Sequence, residues 1–199
     1  HGFKKKVFTS AKLYPVGATT NSDAGVTSIA KIYKALEAMQ EIGMPLCIHC
    51  ETVIWEGKRI DPYDREKVFI WKELAPLRAR FPGLKIVFEH VTTREGVEYV
   101  KDANSNYLAA TITAHHLWAS RWDVFEGGMS ADYHCLPVIK REEDRQAVRL
   151  AATSGSSRFF AGTDSAPHLV SKKYQHRSPG GIFTEHAATE LYAQVFDEE

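Results

Sequence analysis

Five short apolar runs, at residues 7–14, 45–49, 84–90, 108–113 and 158–164, are each long enough for one buried strand and recur along the whole chain. They are rich in β-branched or aromatic residues and bounded by turn residues, as strands covered on both faces are. Helical patterns separate them. Residues 26–42 place Ile29, Ile32, Tyr33, Leu36 and Met39 at helical spacing, with Gly43 as the stop. Residues 64–81 put Val68, Phe69, Trp71, Leu74 and Leu77 on one side, and this helix should bend or break near Pro76. Residues 93–102, 142–154 and 184–196 form three more helices. Residues 101–107 and 120–132 read as loops, the second long enough to be functional. Strands alternating with helices predict an α/β chain with a parallel sheet. The alternation alone fits an open sheet or a barrel, and a barrel of eight needs more strands than five. No Gly-rich dinucleotide loop or P-loop occurs.

Composition narrows the function classes. At 199 residues the chain is one domain by length, or a large piece of one. Lys+Arg and Asp+Glu balance at 25 each and no basic stripe is visible, so no nucleic-acid partner is expected. No apolar run approaches membrane-spanning length, and no signal peptide opens the chain, so no membrane partner is expected. Three cysteines do not make a disulfide framework, which sets a reducing, cytoplasmic location as the expectation. The chain opens at His1 rather than Met and stops directly after a helical pattern, which reads as a piece of a longer protein.

Chemistry concentrates at the ends of the strands. His49 and His90 close the second and third runs, and neutral imidazole is the commonest metal ligand. Either could instead be a satisfied core histidine. Asp164 ends an apolar run, where a carboxylate needs a cation or several N–H donors, or else caps the next turn. Lys12 sits within the first run. An ammonium cannot ligate metal, but a neutral buried amine can take up carbon dioxide and become a carbamate that bridges two cations. The alternative is a lysine snorkelling to the rim. Cys47 and Cys50 flank His49, yet strand alternation separates them and Cys135 stands alone, so a structural four-ligand zinc site is disfavoured.

These residues lie in phrases that resemble the dihydroorotases of the bacterial and plant single-function branch. Ala11-Lys12-Leu13-Tyr14-Pro15, continuing through Ala18-Thr19-Thr20-Asn21-Ser22, carries the likeness. So do Gly43-Met44-Pro45-Leu46, Phe88-Glu89-His90, the run from Leu108 to Thr113, Cys135-Leu136-Pro137, and Gly162-Thr163-Asp164-Ser165-Ala166-Pro167-His168. The resemblance covers nearly the whole chain. It implies a TIM (β/α)8 barrel of the amidohydrolase superfamily, with this chain holding strands four to eight. It further implies two zinc ions, Lys12 N-carboxylated and bridging them, His49 and His90 on one metal, and Asp164 on the other as proton shuttle. Thr19 and Thr20 match the loop that closes over substrate. Leu136, through its backbone, with His168 and Gly180, matches positions holding the substrate ring and carboxylate. The implied reaction is reversible ring closure of N-carbamoyl-L-aspartate to L-dihydroorotate in pyrimidine biosynthesis, by a homodimer acting on a small molecule.

The family's His-x-His pair and its substrate-gripping Arg and Asn precede anything in this chain, so the piece alone is expected to show little or no activity. Cys50 replaces a usually small residue, residues 52–62 form a longer segment, and residues 172–178 lack cysteines seen in some relatives. Two alternatives remain open: a related cyclic amidohydrolase acting on hydantoin, allantoin or dihydropyrimidine rings, and a non-catalytic dihydroorotase-like subunit.

Overall fold

The computed structural model describes residues 2–103 and 105–199, so His1 and Asn104, the latter within the loop expected over 101–107, lie outside it. Five strands form one parallel sheet: β1 (Ala11–Leu13), β2 (Leu46–His49), β5 (Ile86–Glu89), β6 (Leu108–Ile112) and β7 (Phe159–Ala161), in that spatial order. β3 (Ile54–Trp55) and β4 (Lys58–Arg59) make a separate two-stranded hairpin. Sequential strands are neighbours throughout. Helices fill the crossovers: α1 (Tyr33–Ile42), α2 (Arg65–Phe69), α3 (Ala75–Arg80), α4 (Arg94–Asp102), α5 (Ala114–Trp118), α6 (Arg121–Phe125) and α7 (Glu142–Thr153). After β7 come α8 (Val170–Lys173) and α9 (Ala188–Glu198). This is the βα alternation expected, with the parallel sheet of a partial barrel.

The two faces of the sheet differ sharply. One carries Leu13, Leu46, Ile48, Ile86, Phe88, Leu108, Ala110 and Ile112, none more than 2% exposed, beneath Leu36, Phe69, Leu74, Leu77, Val100 and Val148 of the helices. Strand alternation sends Lys12, Cys47, His49, Val87, Glu89, Ala109 and Thr111 to the opposite face. Of these only His49 and Thr111 are buried. The helix-covered face is the hydrophobic core, and the other is the face on which Lys12 and His49 stand.

Local chemistry explains the boundaries. The first strand spans Ala11–Leu13 rather than the expected 7–14, with Val7 and Phe8 75% and 49% exposed. The first helix begins as a 3-10 turn, Ile29–Ile32. It ends where Gly43, at φ 69°, lets its own N–H reach Gln40 O and the Met44 N–H reach Met39 O. The break expected near Pro76 is a π turn, Ile70–Leu74, between α2 and α3. Pro76 has no N–H to return to the preceding turn, so the ladder loosens just ahead of it. Thr93 caps α4 by accepting the Gly96 N–H at 3.0 Å.

Other elements depart from expectation. The loop expected over 120–132 contains α6, opened by a capping box in which Ser120 and Asp123 satisfy each other's backbone N–H groups. The β3–β4 hairpin turns on Glu56 and Gly57, both at positive φ, in a segment with no strand-length run. Among the described residues, no helix is long and apolar enough to cross a membrane.

Candidate active site

His49 is the last residue of β2, and His90 follows β5, whose Glu89 is its register partner. This placement brings His49 Nδ1 to 3.2 Å from His90 Nε2. Two nitrogens held 2.0–2.1 Å from one tetrahedral zinc would lie about 3.4 Å apart, so the pair fits a shared cation with minimal adjustment. His49 Nε2 lies 2.8 Å from Glu51 Oε2. The carboxylate accepts Nε2–H there and leaves the Nδ1 lone pair facing His90. Burial drives the His90 pKa well below the usual imidazole value, with His49 and Lys12 adding to the effect, so the ring is neutral at ordinary pH. Glu51 is fully buried and its Oε1 has no hydrogen-bond partner, nor has His90 Nδ1. Buried polar atoms left this way need a partner such as an ordered water or an ion. Glu51 had no assigned role in the sequence reading; its signal is the His-x-Glu spacing.

The backbone around the pair is held from two sides. His90 adopts φ 45° and donates its N–H to Thr111 Oγ1 at 2.7 Å. Glu66, wholly buried, accepts the N–H and O–H groups of Thr92 and Thr93 at 2.5–3.2 Å, which pins the loop leaving His90. Gly162 passes so close to Thr111 that a Cβ there would lie 2.7 Å from Thr111 Cβ. Asp164, two residues on, also sits at φ 45°. Two of the candidate ligands are thus among the few non-glycine residues held in the left-handed region, a kind of strain that clusters at functional sites.

Lys12 lies in β1, where its side chain is 41% exposed in this chain and forms an ion pair with Glu89. Partial burial still lowers its pKa, against the opposing pull of Asp164. Burial raises the Asp164 pKa, against Lys12 and His49. The four groups therefore share one electrostatic neighbourhood. Asp164 does not, however, close a tight three-donor cluster with the histidine pair. Among the described residues, the one trio of His, Cys, Asp or Glu donors lying within 4.8 Å of one another is His115, His116 and Cys135.

A second group assembles from four loops. Thr20 Oγ1 donates to Gly180 O at 3.0 Å, and His168 Nε2 reaches the same carbonyl at 3.1 Å. Gly180 packs on Leu136 so closely that a Cβ would lie 3.0 Å from Leu136 Cγ. Thr19 stands beside this group in a turn, its N–H on Ser22 Oγ at 3.2 Å. The loops after β1 and β7 supply Thr20, His168 and Gly180, which places the group at the carboxyl ends of the strands, as with His49, His90 and Asp164.

The trio of His115, His116 and Cys135 was missed by sequence reasoning. Its visible signal was the His-His pair directly after the fourth run; Cys135, far along the chain, looked solitary. All three are buried. Burial lowers His115 to about 4, lowers His116 well below its ordinary value, and pushes the Cys135 thiol up to about 12.

Comparison with known proteins identifies the family. The amidohydrolase family model matches residues 1–190. The dihydroorotase of Acidovorax sp. (strain JS42) is 56% identical over 188 residues, 94% of this chain and 53% of that protein. That of Nitrosomonas europaea is 56% identical over 187 residues, 94% of this chain and 52% of that protein. The chain thus spans about half the length of the curated relatives it matches. Dihydroorotase from Saccharomyces cerevisiae, solved with 5-fluoroorotic acid, superposes with a TM-score of 0.91 at 35% identity, covering 99% of this chain and 57% of that one. L-hydantoinase from Arthrobacter aurescens, at 16% identity and a TM-score of 0.74, shares the fold. The five-stranded parallel sheet and the match over nearly every residue place this chain in the amidohydrolase family.

Proposed function

We propose that this chain carries the larger part of a dihydroorotase active site, for reversible interconversion of N-carbamoyl-L-aspartate and L-dihydroorotate. The single observation that carries the proposal is the facing pair His49 Nδ1 and His90 Nε2, 3.2 Å apart at the ends of neighbouring strands. The relatives named dihydroorotase support the choice of substrate. In this reading the five sheet strands stand for the fourth to eighth of a barrel, and a His-x-His pair from an earlier strand completes the second metal position.

His49 and His90 would hold one zinc, Lys12 as its carbamate would bridge to a second, and Asp164 would ligate that second ion. Zinc bound there would supply Lewis-acid polarisation of the amide carbonyl and a water of lowered pKa. The chain's own residues do the rest. Glu51 orients His49. Carboxylation of Lys12 requires its neutral amine, which partial burial favours, and requires release of the ion pair with Glu89. Asp164, its carboxyl pKa raised by burial, accepts the proton of the attacking water and delivers it to the leaving ring nitrogen. Thr20, His168, Gly180 and the Leu136 backbone hold the ring and its carboxylate, with Thr19 in the loop that closes above them. Two further parts of the proposal, a cytoplasmic location and a homodimer, rest on cysteine usage and on resemblance respectively.

The test is turnover by the full-length protein that contains this chain. Ring opening of L-dihydroorotate well above that of hydantoin is the expected result. Faster hydantoin hydrolysis overturns the substrate assignment, and loss of neither activity in Lys12→Ala overturns the site.

A further inference from the structure

We infer that His115, His116 and Cys135 form a separate binding site for a thiophilic divalent cation of the zinc type, distinct from the strand-end pair. The donor set is two imidazoles and a thiol, the combination that suits zinc. A ligand atom from each residue lies within 4.8 Å of the other two, and all three side chains are buried. His115 is 5% exposed, and its Nδ1 has no hydrogen-bond partner. Cys135 Sγ stands 3.8 Å from His116 Nε2. One tetrahedral zinc with bonds of 2.3 Å to sulfur and 2.0–2.1 Å to nitrogen would set those atoms about 3.6 Å apart.

The present hydrogen bonds show how the site loads. His116 Nε2 and Cys135 Sγ both donate to Pro137 O, each at 3.1 Å, while His116 Nδ1 lies 2.7 Å from Thr113 Oγ1. Zinc takes the place of the Cys135 thiol proton, which passes to solvent. The His116 ring proton shifts from Nε2 to Nδ1, where Thr113 Oγ1 accepts it, and the freed Nε2 lone pair turns to the metal. Three protein ligands leave one tetrahedral position for water. Loading removes both donors from Pro137 O, the carbonyl directly after Leu136, so an occupied site reshapes the turn that packs on Gly180.

The experiment is titration of the full-length protein with cobalt(II) as a spectroscopic probe, followed by zinc competition. The strand-end histidines offer no sulfur ligand, so a near-ultraviolet thiolate-to-cobalt charge-transfer band that depends on Cys135 reports this site. We expect the band in the parent protein and its loss in Cys135→Ser. His115→Gln, which removes no hydrogen bond at Nδ1, should weaken cobalt binding at this band by more than about 100-fold, beyond what the loss of an outer-shell partner costs. No thiolate band in the folded parent, a band surviving Cys135→Ser, or one lost instead in Cys47→Ser or Cys50→Ser overturns the inference. None of these outcomes depends on ring-opening activity, so the two proposals fail separately.

Discussion

The strand-end pair of His49 and His90 and the loop-borne trio of His115, His116 and Cys135 are built from the same residue chemistry by different means. His49 and His90 owe their meeting to sheet register: parallel strands one step apart deliver consecutive C-terminal residues to one rim. The trio owes its meeting to a short helix, α5, and a distant loop that folds back over it. The first cluster is backed by a buried carboxylate with an unpaired oxygen and by two strained backbone positions. The second already satisfies His116 and Cys135 internally through Pro137 O and keeps only His115 Nδ1 in reserve. On the proposed function, proximity of donors is a weaker sign of a catalytic centre than orphaned polar atoms on a strained scaffold.

The comparison breaks first on catalysis. In the full-length protein, Asp164→Asn should lower kcat for ring opening by about 10²- to 10⁴-fold, the range for losing a general acid–base group. Steady-state kinetics with near-normal activity would remove Asp164 from the mechanism.

Next in size is acid stability, which singles out the trio. His115 has a folded-state pKa of about 4, below its ordinary 6.5. Its contribution is therefore fully present above pH 6.5 and is lost as pH falls through the folded value. Over that window it amounts to about 3 kcal/mol. Urea unfolding of the metal-free protein across the same pH range should show the loss, and His115→Gln should flatten it; an unchanged slope would mean that His115 is not buried as a neutral ring.

Glu51→Gln sharpens the other side. It keeps the size of the side chain but weakens its hold on His49 Nε2–H, so zinc affinity at the histidine pair should fall about 10- to 100-fold in chelator competition. Unaltered affinity would reduce Glu51 to packing. The smallest effect is Thr93→Ala, which removes the α4 cap and one hydroxyl from Glu66. It should cost about 1–2 kcal/mol of stability in urea unfolding. A loss under about 0.3 kcal/mol would show that the loop after His90 does not depend on this network.

Most of the sheet was legible because its signals are local. Apolar runs flanked by turn residues marked all five sheet strands, and Thr93, Gly43 and Pro76 marked a helix start, a helix end and a break. The strand-end histidines and Asp164 were legible for the same reason. What escaped depended on contacts distant in sequence. Nothing near Lys12 announces that Glu89 will pair with it. Cys135 meets His116 across 19 residues and a loop whose helix α6 hides in a polar stretch. The β3–β4 hairpin lacks a strand-length run and turns on Glu56, a residue that seldom adopts positive φ. The Thr20–Gly180–His168 group was found through family resemblance; its residues lie too far apart in the chain for spacing to join them.

The central claim is that His49 and His90 hold a catalytic metal beside Lys12 and Asp164. Anomalous diffraction at the zinc edge from crystals of the full-length protein tests it most directly. The account predicts a zinc peak about 2.1 Å from both His49 Nδ1 and His90 Nε2, with added density on Lys12 Nζ. Zinc found only at His115, His116 and Cys135, with His49 and His90 still hydrogen-bonded to each other, would contradict it.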